Sequence, residues 1–196
     1  MSTPLALDKL PRLSELFRWF NNGKHLNRVS EPVLWLELEQ QEAAYRELFT
    51  ALGYDLRTDR RGFAWFHSEE SSSNVNKSTH QLALLFMVIF DTQANVGKPL
   101  GRFNDWVIDR PLLNTVFEQH QDLLLTEGLD VETMLTLLEK TASRYGFARA
   151  EGDRWQLLPA ANRYLDHFLA LNSEIKDDGL DDPGKMQDTD EETLRP

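Results

Sequence analysis

Gly53-Tyr54-Asp55-Leu56-Arg57 runs through Thr58-Asp59-Arg60-Arg61-Gly62 into Phe63-Ala64-Trp65-Phe66-His67. The same texture returns as Gly146-Phe147-Ala148-Arg149, Ala150-Glu151-Gly152-Asp153 and Arg154-Trp155-Gln156-Leu157-Leu158. Each time a run at helical spacing ends on a Gly able to take the left-handed cap conformation. A short strand, a charged turn with Gly and an aromatic strand then follow. A helix closed by a two-stranded ribbon that folds back on it is how a winged helix ends. The expected fold class is therefore mainly α with short β-hairpins, arranged as two tandem winged-helix domains.

Composition fits that arrangement. The chain has 196 residues, 41% hydrophobic, enough for one substantial core or two small ones of about 80 residues each. With no cysteine, neither disulfides nor thiolate metal sites can hold the fold, and nothing points to secretion. The most apolar stretch, Leu82 to Phe90, is nine residues, about half of a bilayer-spanning helix. It reads as a buried core helix, with no membrane association expected. The N-terminus lacks the basic-then-apolar order of a signal peptide, which implies a cytoplasmic protein.

Between the landmarks the chain divides into an N-terminal winged-helix domain at 1–67, a polar Ser-rich linker at 68–77, a C-terminal winged-helix domain at 78–171 and an acidic disordered tail at 172–196. In the first domain a helix carries Leu13, Leu16, Phe17 and Phe20. A longer one after Pro32 carries Leu34, Trp35, Leu38, Tyr45, Leu48, Phe49 and Leu52. In the second, the all-round apolar helix needs cover from both modules or from a partner chain. Phe103 to Ile108 reads as a short strand, a helix opens at Pro111 and includes Leu123 and Leu124, and Asp130 caps a helix running to Tyr145. A closing helix spans Pro159 to Leu171.

Net charge is −11, which opposes tight phosphate neutralisation. The distribution is uneven, because residues 174–196 contribute −6 while the first thirty carry +3. In the helix 131–145, Val131, Met134, Leu135, Leu138, Ala142 and Tyr145 share one side, and Thr133, Thr136, Lys140 and Arg144 the other. In a winged helix that second side can enter a major groove, with Arg149 and Arg154 flanking it from the wing. Five basic residues between Asp130 and Leu171 face six acidic ones, so a solvated face is the competing reading. Strand alternation puts Phe63 and Trp65 on one face and Phe66 on the other. This makes the three a candidate partner interface beside their default role as core.

No catalytic constellation is present. On a helix His120 lies opposite Glu118 and Asp122, so the three cannot converge on a metal ion. His25, His67, His80 and His167 are isolated and read as structural, and Gly97-Lys98-Pro99 lacks the elements of a phosphate loop. No cofactor and no enzymatic activity are expected.

The order of two winged helices, Ser-rich link and acidic tail resembles the MukE/MksE family of bacterial condensin accessory subunits over about Leu10 to Leu171. Tyr54-Asp55-Leu56 with Arg61-Gly62-Phe63-Ala64-Trp65-Phe66 looks like that family's first wing. Tyr145-Gly146-Phe147 with Arg154-Trp155-Gln156-Leu157 looks like its second. The short second module and sparse basic residues are nearer MksE or its Wadjet-type relative. The resemblance implies a homodimer that binds a kleisin, and through it an SMC-type ATPase, in chromosome condensation and segregation or in plasmid restriction. It places the protein in the cytoplasm at the nucleoid. In MukE the helix before the second wing is notably basic. Here only Lys140 and Arg144 remain, which makes a DNA role conditional on the assembled complex. The reading from another class is a free-standing winged-helix transcription regulator.

Overall fold

The computed structural model describes residues 10–67 and 77–178. Two units of similar order follow one another. The first runs α1 (Leu13–Asn21), β1 (Leu26–Asn27), α2 (Pro32–Gln40), α3 (Glu42–Ala51), β2 (Asp55–Asp59) and β3 (Phe63–His67). The second runs α4 (Lys77–Asn95), a 3-10 segment (Leu100–Asp105), β4 (Val107–Ile108), α5 (Arg110–Gln119), α6 (Gln121–Thr126) and α7 (Val131–Thr136). It continues through a π-helical segment (Leu137–Ala142), α8 (Ser143–Tyr145), β5 (Ala148–Glu151) and β6 (Arg154–Leu157). A 3-10 turn (Pro159–Ala161) then leads into α9 (Asn162–Asp178). The protein is thus mainly helical with two small antiparallel sheets, ordered β1-β3-β2 and β4-β6-β5.

Both hairpins form where the quoted sequences place them. Asp55 pairs with His67 and Asp59 with Phe63 in one, and Ala148 with Leu157 and Glu151 with Arg154 in the other. The Gly-bearing turns follow from backbone geometry: Gly62 (φ 92°) and Gly152 (φ 69°) occupy left-handed conformations that a side chain disfavours. Each sheet gains a third strand, and the sequence announces only that of the second sheet. Leu26 and Asn27 pair with Ala64 and Phe63, and Val107 and Ile108 with Gln156 and Trp155. The expected strand over 103–108 shrinks to those last two residues, with 103–105 in the 3-10 segment and Trp106 an extended link between.

Two expected helices are broken. The helix after Pro32 divides at Gln41 (φ −122°, ψ 24°) into α2 and α3, and Leu52, expected in its apolar stripe, is 58% exposed. The helix opened at Pro111 divides at His120 (φ −124°, ψ 26°) into α5 and α6. This buries Leu124 and turns Leu123 outward. The closing helix runs on to Asp178, past the expected start of the tail at 172. Residues 68–76 of the expected linker and 179–196 of the expected tail lie outside the described residues.

Two cores result. In the first, Leu16, Phe20, Leu34, Trp35, Leu38, Tyr45, Phe49 and Leu56 close over Leu26 and Ala64. The second surrounds α4, whose Leu82, Leu85, Phe86, Val88, Ile89 and Phe90 are all buried. It is covered by α5, α9 and the π-helical segment, and the apolar residues of this helix are satisfied within the chain. Each such side chain contributes about 1.5–3 kcal/mol on burial. Phe63, although it belongs to the first hairpin, is fully buried in the second core, so one strand serves both.

The units meet where Gly146 (φ 80°) follows α8. A Cβ at this position would stand 2.5 Å from the His25 carbonyl oxygen, whereas one at Gly53 (φ 83°) meets nothing within 4 Å. Gly53→Ala therefore carries only the left-handed penalty of about 1–2 kcal/mol. Gly146→Ala adds a backbone clash between units and is expected to lower stability by at least about twice as much. Urea unfolding of both variants checks the difference.

Candidate functional site

The seam between the units is built on β1. Asn27 is fully buried, and its side-chain amide is used at both ends. Its Nδ2 donates to the Gly146 carbonyl (2.8 Å) and its Oδ1 accepts from the Ala160 amide (3.0 Å). Burying an amide without such partners is costly, so these bonds fix the position of the loop after α8 against the first sheet. Next to it, the His25 amide donates to the Tyr145 carbonyl (2.9 Å). The His25 ring lies 4.3 Å from the Phe147 ring and stacks at 6.2 Å on Trp65. At the periphery Arg61 joins β3's turn to α9 through Asp166 (2.6 and 2.7 Å), while also holding Asp59.

His25 has one chemically consistent protonation state. Its Nδ1 lies 3.1 Å from the Tyr145 carbonyl and must donate to it, which leaves Nε2 to accept from the Arg163 guanidinium at 2.7 Å. Burial, and secondarily the Arg163 charge, push its pKa down to about 3, against a smaller upward pull from the Tyr145 carbonyl. Neither His25 nor Asn27 is identified as a joining element by the sequence. An isolated His and an Asn in a two-residue strand carry no periodic signal, and their partners lie more than a hundred positions away.

Four of the six candidate DNA-contact residues are divided between two grooves. Arg144 and Arg149 line an open groove of about 320 Å³ that crosses the seam, together with Lys24 from the first unit, Ser143 and Ser30, and one carboxylate, Glu31. Lys24 sits 4.7 Å over the Trp19 ring, and Arg144 5.7 Å over Tyr145. Arg149 is held by Glu151 and Gln156 (both 2.7 Å). Thr136 and Arg154 line a different groove, of about 480 Å³, with Asp109, Glu132, Glu139 and Asp153. Arg110 neutralises only Glu132 there (2.5 Å). Lys140 is exposed and lines neither groove, and Thr133, half-buried, has its amide bonded to the Asp130 cap (2.8 Å). The π-helical segment buries Leu137 as well as Leu138, and Thr136 and Arg144 on either side of it, eight positions apart, line different grooves.

The three aromatic candidates for a partner interface are turned inward. Phe63 is fully buried in the second core. Phe66 packs on Phe20 and Phe49 (both 5.0 Å) and on Tyr54 (4.8 Å). Trp65 is half-buried, with His25 on its ring and Arg163 4.8 Å from its centroid. The alternation that places Phe63 and Trp65 on one face is correct, but the second unit covers that face. Phe63 therefore presents nothing to another molecule in this conformation, and Trp65 and Phe66 only part of their surface.

Among the described residues no three His, Asp or Glu side chains could hold a metal ion, and no helix is long and apolar enough to cross a membrane. His120, rather than approaching Glu118 and Asp122, faces Thr92 (3.3 Å) and Asp91 (3.5 Å).

The model of one protein family, described as "Condensin complex protein MksE", matches residues 11–169, a span that takes in both units and the seam. No curated protein sequence matches the chain.

The protonation state of His25 gives a pH test. Its folded pKa, about 3, lies below its unfolded value of 6.5, so between these the unfolded chain binds the additional proton and stability falls as pH falls. At pH 5 the loss reaches on the order of 2 kcal/mol, at 1.36 kcal/mol per pH unit. Urea midpoints from pH 7 to 5 should show it, and His25→Gln should flatten the dependence. An unchanged slope in that variant would assign the loss to other groups.

Proposed function

Because this chain belongs to the MksE family of condensin complex proteins, we propose that it is the kleisin-binding accessory subunit of an SMC-type condensin. In this reading it is a non-enzymatic homodimer that works at the nucleoid, in chromosome segregation or plasmid restriction. The family match over residues 11–169 carries the reading. The repeated order of helices, third strand and hairpin supports its finer part, two tandem winged-helix modules per protomer.

With Phe63 enclosed and Phe66 largely packed, the more exposed apolar surface for a kleisin on the first unit lies beside α2, where Val29, Val33 and Leu36 are more than half exposed. A preformed surface of this kind keeps small the entropic cost of ordering an extended partner segment. For DNA, the seam groove with Lys24, Arg144 and Arg149 is the better candidate, since the groove with Thr136 and Arg154 carries four carboxylates. Three cations make only a weak salt-sensitive grip, which suits a subunit that touches DNA already held inside a ring. The same scarcity of positive charge weighs against a free-standing transcription regulator, which must hold its operator alone.

Two measurements test this. Tagged protein drawn from native lysate should bring with it a large coiled-coil ATPase and a mid-sized helical kleisin, and their absence would contradict the proposal. In the assembled complex, Lys24→Glu with Arg144→Glu should weaken DNA binding and reduce the salt slope by about 2, while Thr136→Ala should leave it unchanged. Tight shift of one short operator by the isolated protein, with random duplex left free, would establish the regulator instead.

A further inference from the structure

Helix α2 is apolar on two opposite sides. At about 100° per residue Leu34, Trp35 and Leu38 form one stripe and Val33, Leu36 and Gln40 another, turned about half a circle from it. The first stripe is buried in the core of the first unit. The second faces solvent: Val33 is 58% and Leu36 52% exposed, and Val29, in the turn before the helix, 58%. A surface helix ordinarily carries polar residues on its outer side, so a second apolar stripe calls for a cover. Carboxylates stand on either side of it, Glu37 next to Val33 and Glu39 next to Leu36, and residues 31–40 hold three acids and no cation. Glu37 is fixed, because one of its oxygens accepts from the Tyr45 hydroxyl (2.8 Å). Glu39 meets Arg28 at 3.1 Å, a pair half in solvent that a partner's cation can exchange. On that side a groove of about 460 Å³, lined by Trp35, Leu38 and Glu39, gives room for a long side chain.

We propose, on the premise that this chain binds a kleisin, that the outer side of α2 receives a kleisin segment of defined chemistry. Large apolar side chains lie over Val33 and Leu36, and lysine or arginine on both flanks meets Glu37 and Glu39. Charge and area select this occupant over the alternatives. A second copy of the chain, paired about a twofold axis through the same stripe, would bring carboxylate against carboxylate. Three side chains little more than half exposed also fall well short of the roughly 800 Å² per partner that a stable dimer interface buries. Nucleic acid and anionic lipid are repelled by the same flanks. A short peptide segment needs only a few anchors, and a preformed helix face costs little to order. An apolar centre inside a charged rim is the common plan of such contacts.

The absence of cysteine makes Gln40→Cys, at the far end of the stripe, a single attachment point for a benzophenone crosslinker on the full chain. In the assembled complex, light should join it to one kleisin peptide in which large apolar residues are flanked by lysine or arginine. Leu36→Asp should weaken kleisin binding at least about tenfold, the loss expected of a central apolar anchor. Glu39→Lys should weaken it by about threefold to tenfold and flatten its salt dependence. Changing the basic residues of the crosslinked peptide to glutamate should restore binding to that variant. All three positions are exposed, and an unchanged urea midpoint excludes misfolding as the cause. Unaltered affinity in Leu36→Asp, with no kleisin crosslink in a complex that still assembles, would overturn the proposal and leave the kleisin reading standing. So would a crosslink to an acidic kleisin peptide, or to a second copy of this chain. If the unaltered chain binds no kleisin at all, both fall together.

Discussion

The buried amide of Asn27 is the constraint on which the rest of the structure depends. One side chain, placed by a strand of two residues, satisfies the carbonyl after the helix of the second unit and the amide that begins the turn into α9. These are backbone groups that burial would otherwise leave unpaired, each costing about 1–3 kcal/mol. Around this point His25 must remain neutral so that it can donate to Tyr145 and accept from Arg163. Gly146 must lack a side chain so that the His25 carbonyl can approach. Phe63 must leave its own unit's core for the other. The two modules are therefore one body with two cores.

That coupling determines what each surface can do. Wing aromatics that would be free in a single module are used to join two, and what stays accessible lies elsewhere: apolar side chains beside α2, and a cationic groove that neither unit forms alone. A chain of this build presents both surfaces in a fixed relation. Positions far apart in sequence, Lys24 and Arg144, are brought together by the seam.

The hairpins were legible because their signals are local: a Gly that must take positive φ, a charged turn, and alternating aromatics within fifteen residues of one another. The helix breaks at Gln41 and His120 were not. Leu38 and Tyr45 are seven apart and remain on a common side whether or not the backbone leaves the helical region between them, so periodicity carries no trace of the break. The π-helical segment is likewise silent in sequence. Strand β1 is too short for alternation to register. The seam was the least legible of all. His25 and Asn27 are ordinary polar residues until the loop after Tyr145, the length of a small domain away, arrives beside them.

Hydrogen exchange in graded urea tests most directly whether this seam makes the two modules a single cooperative unit. The slowest amides of α3, around Tyr45 to Phe49, and of α4, around Leu82 to Phe90, should then share one opening free energy and one denaturant dependence. Asn27→Ala should lower both together. Opening of the first unit at lower urea, with α4 still protected and Asn27→Ala affecting only one of the two sets, would contradict the account.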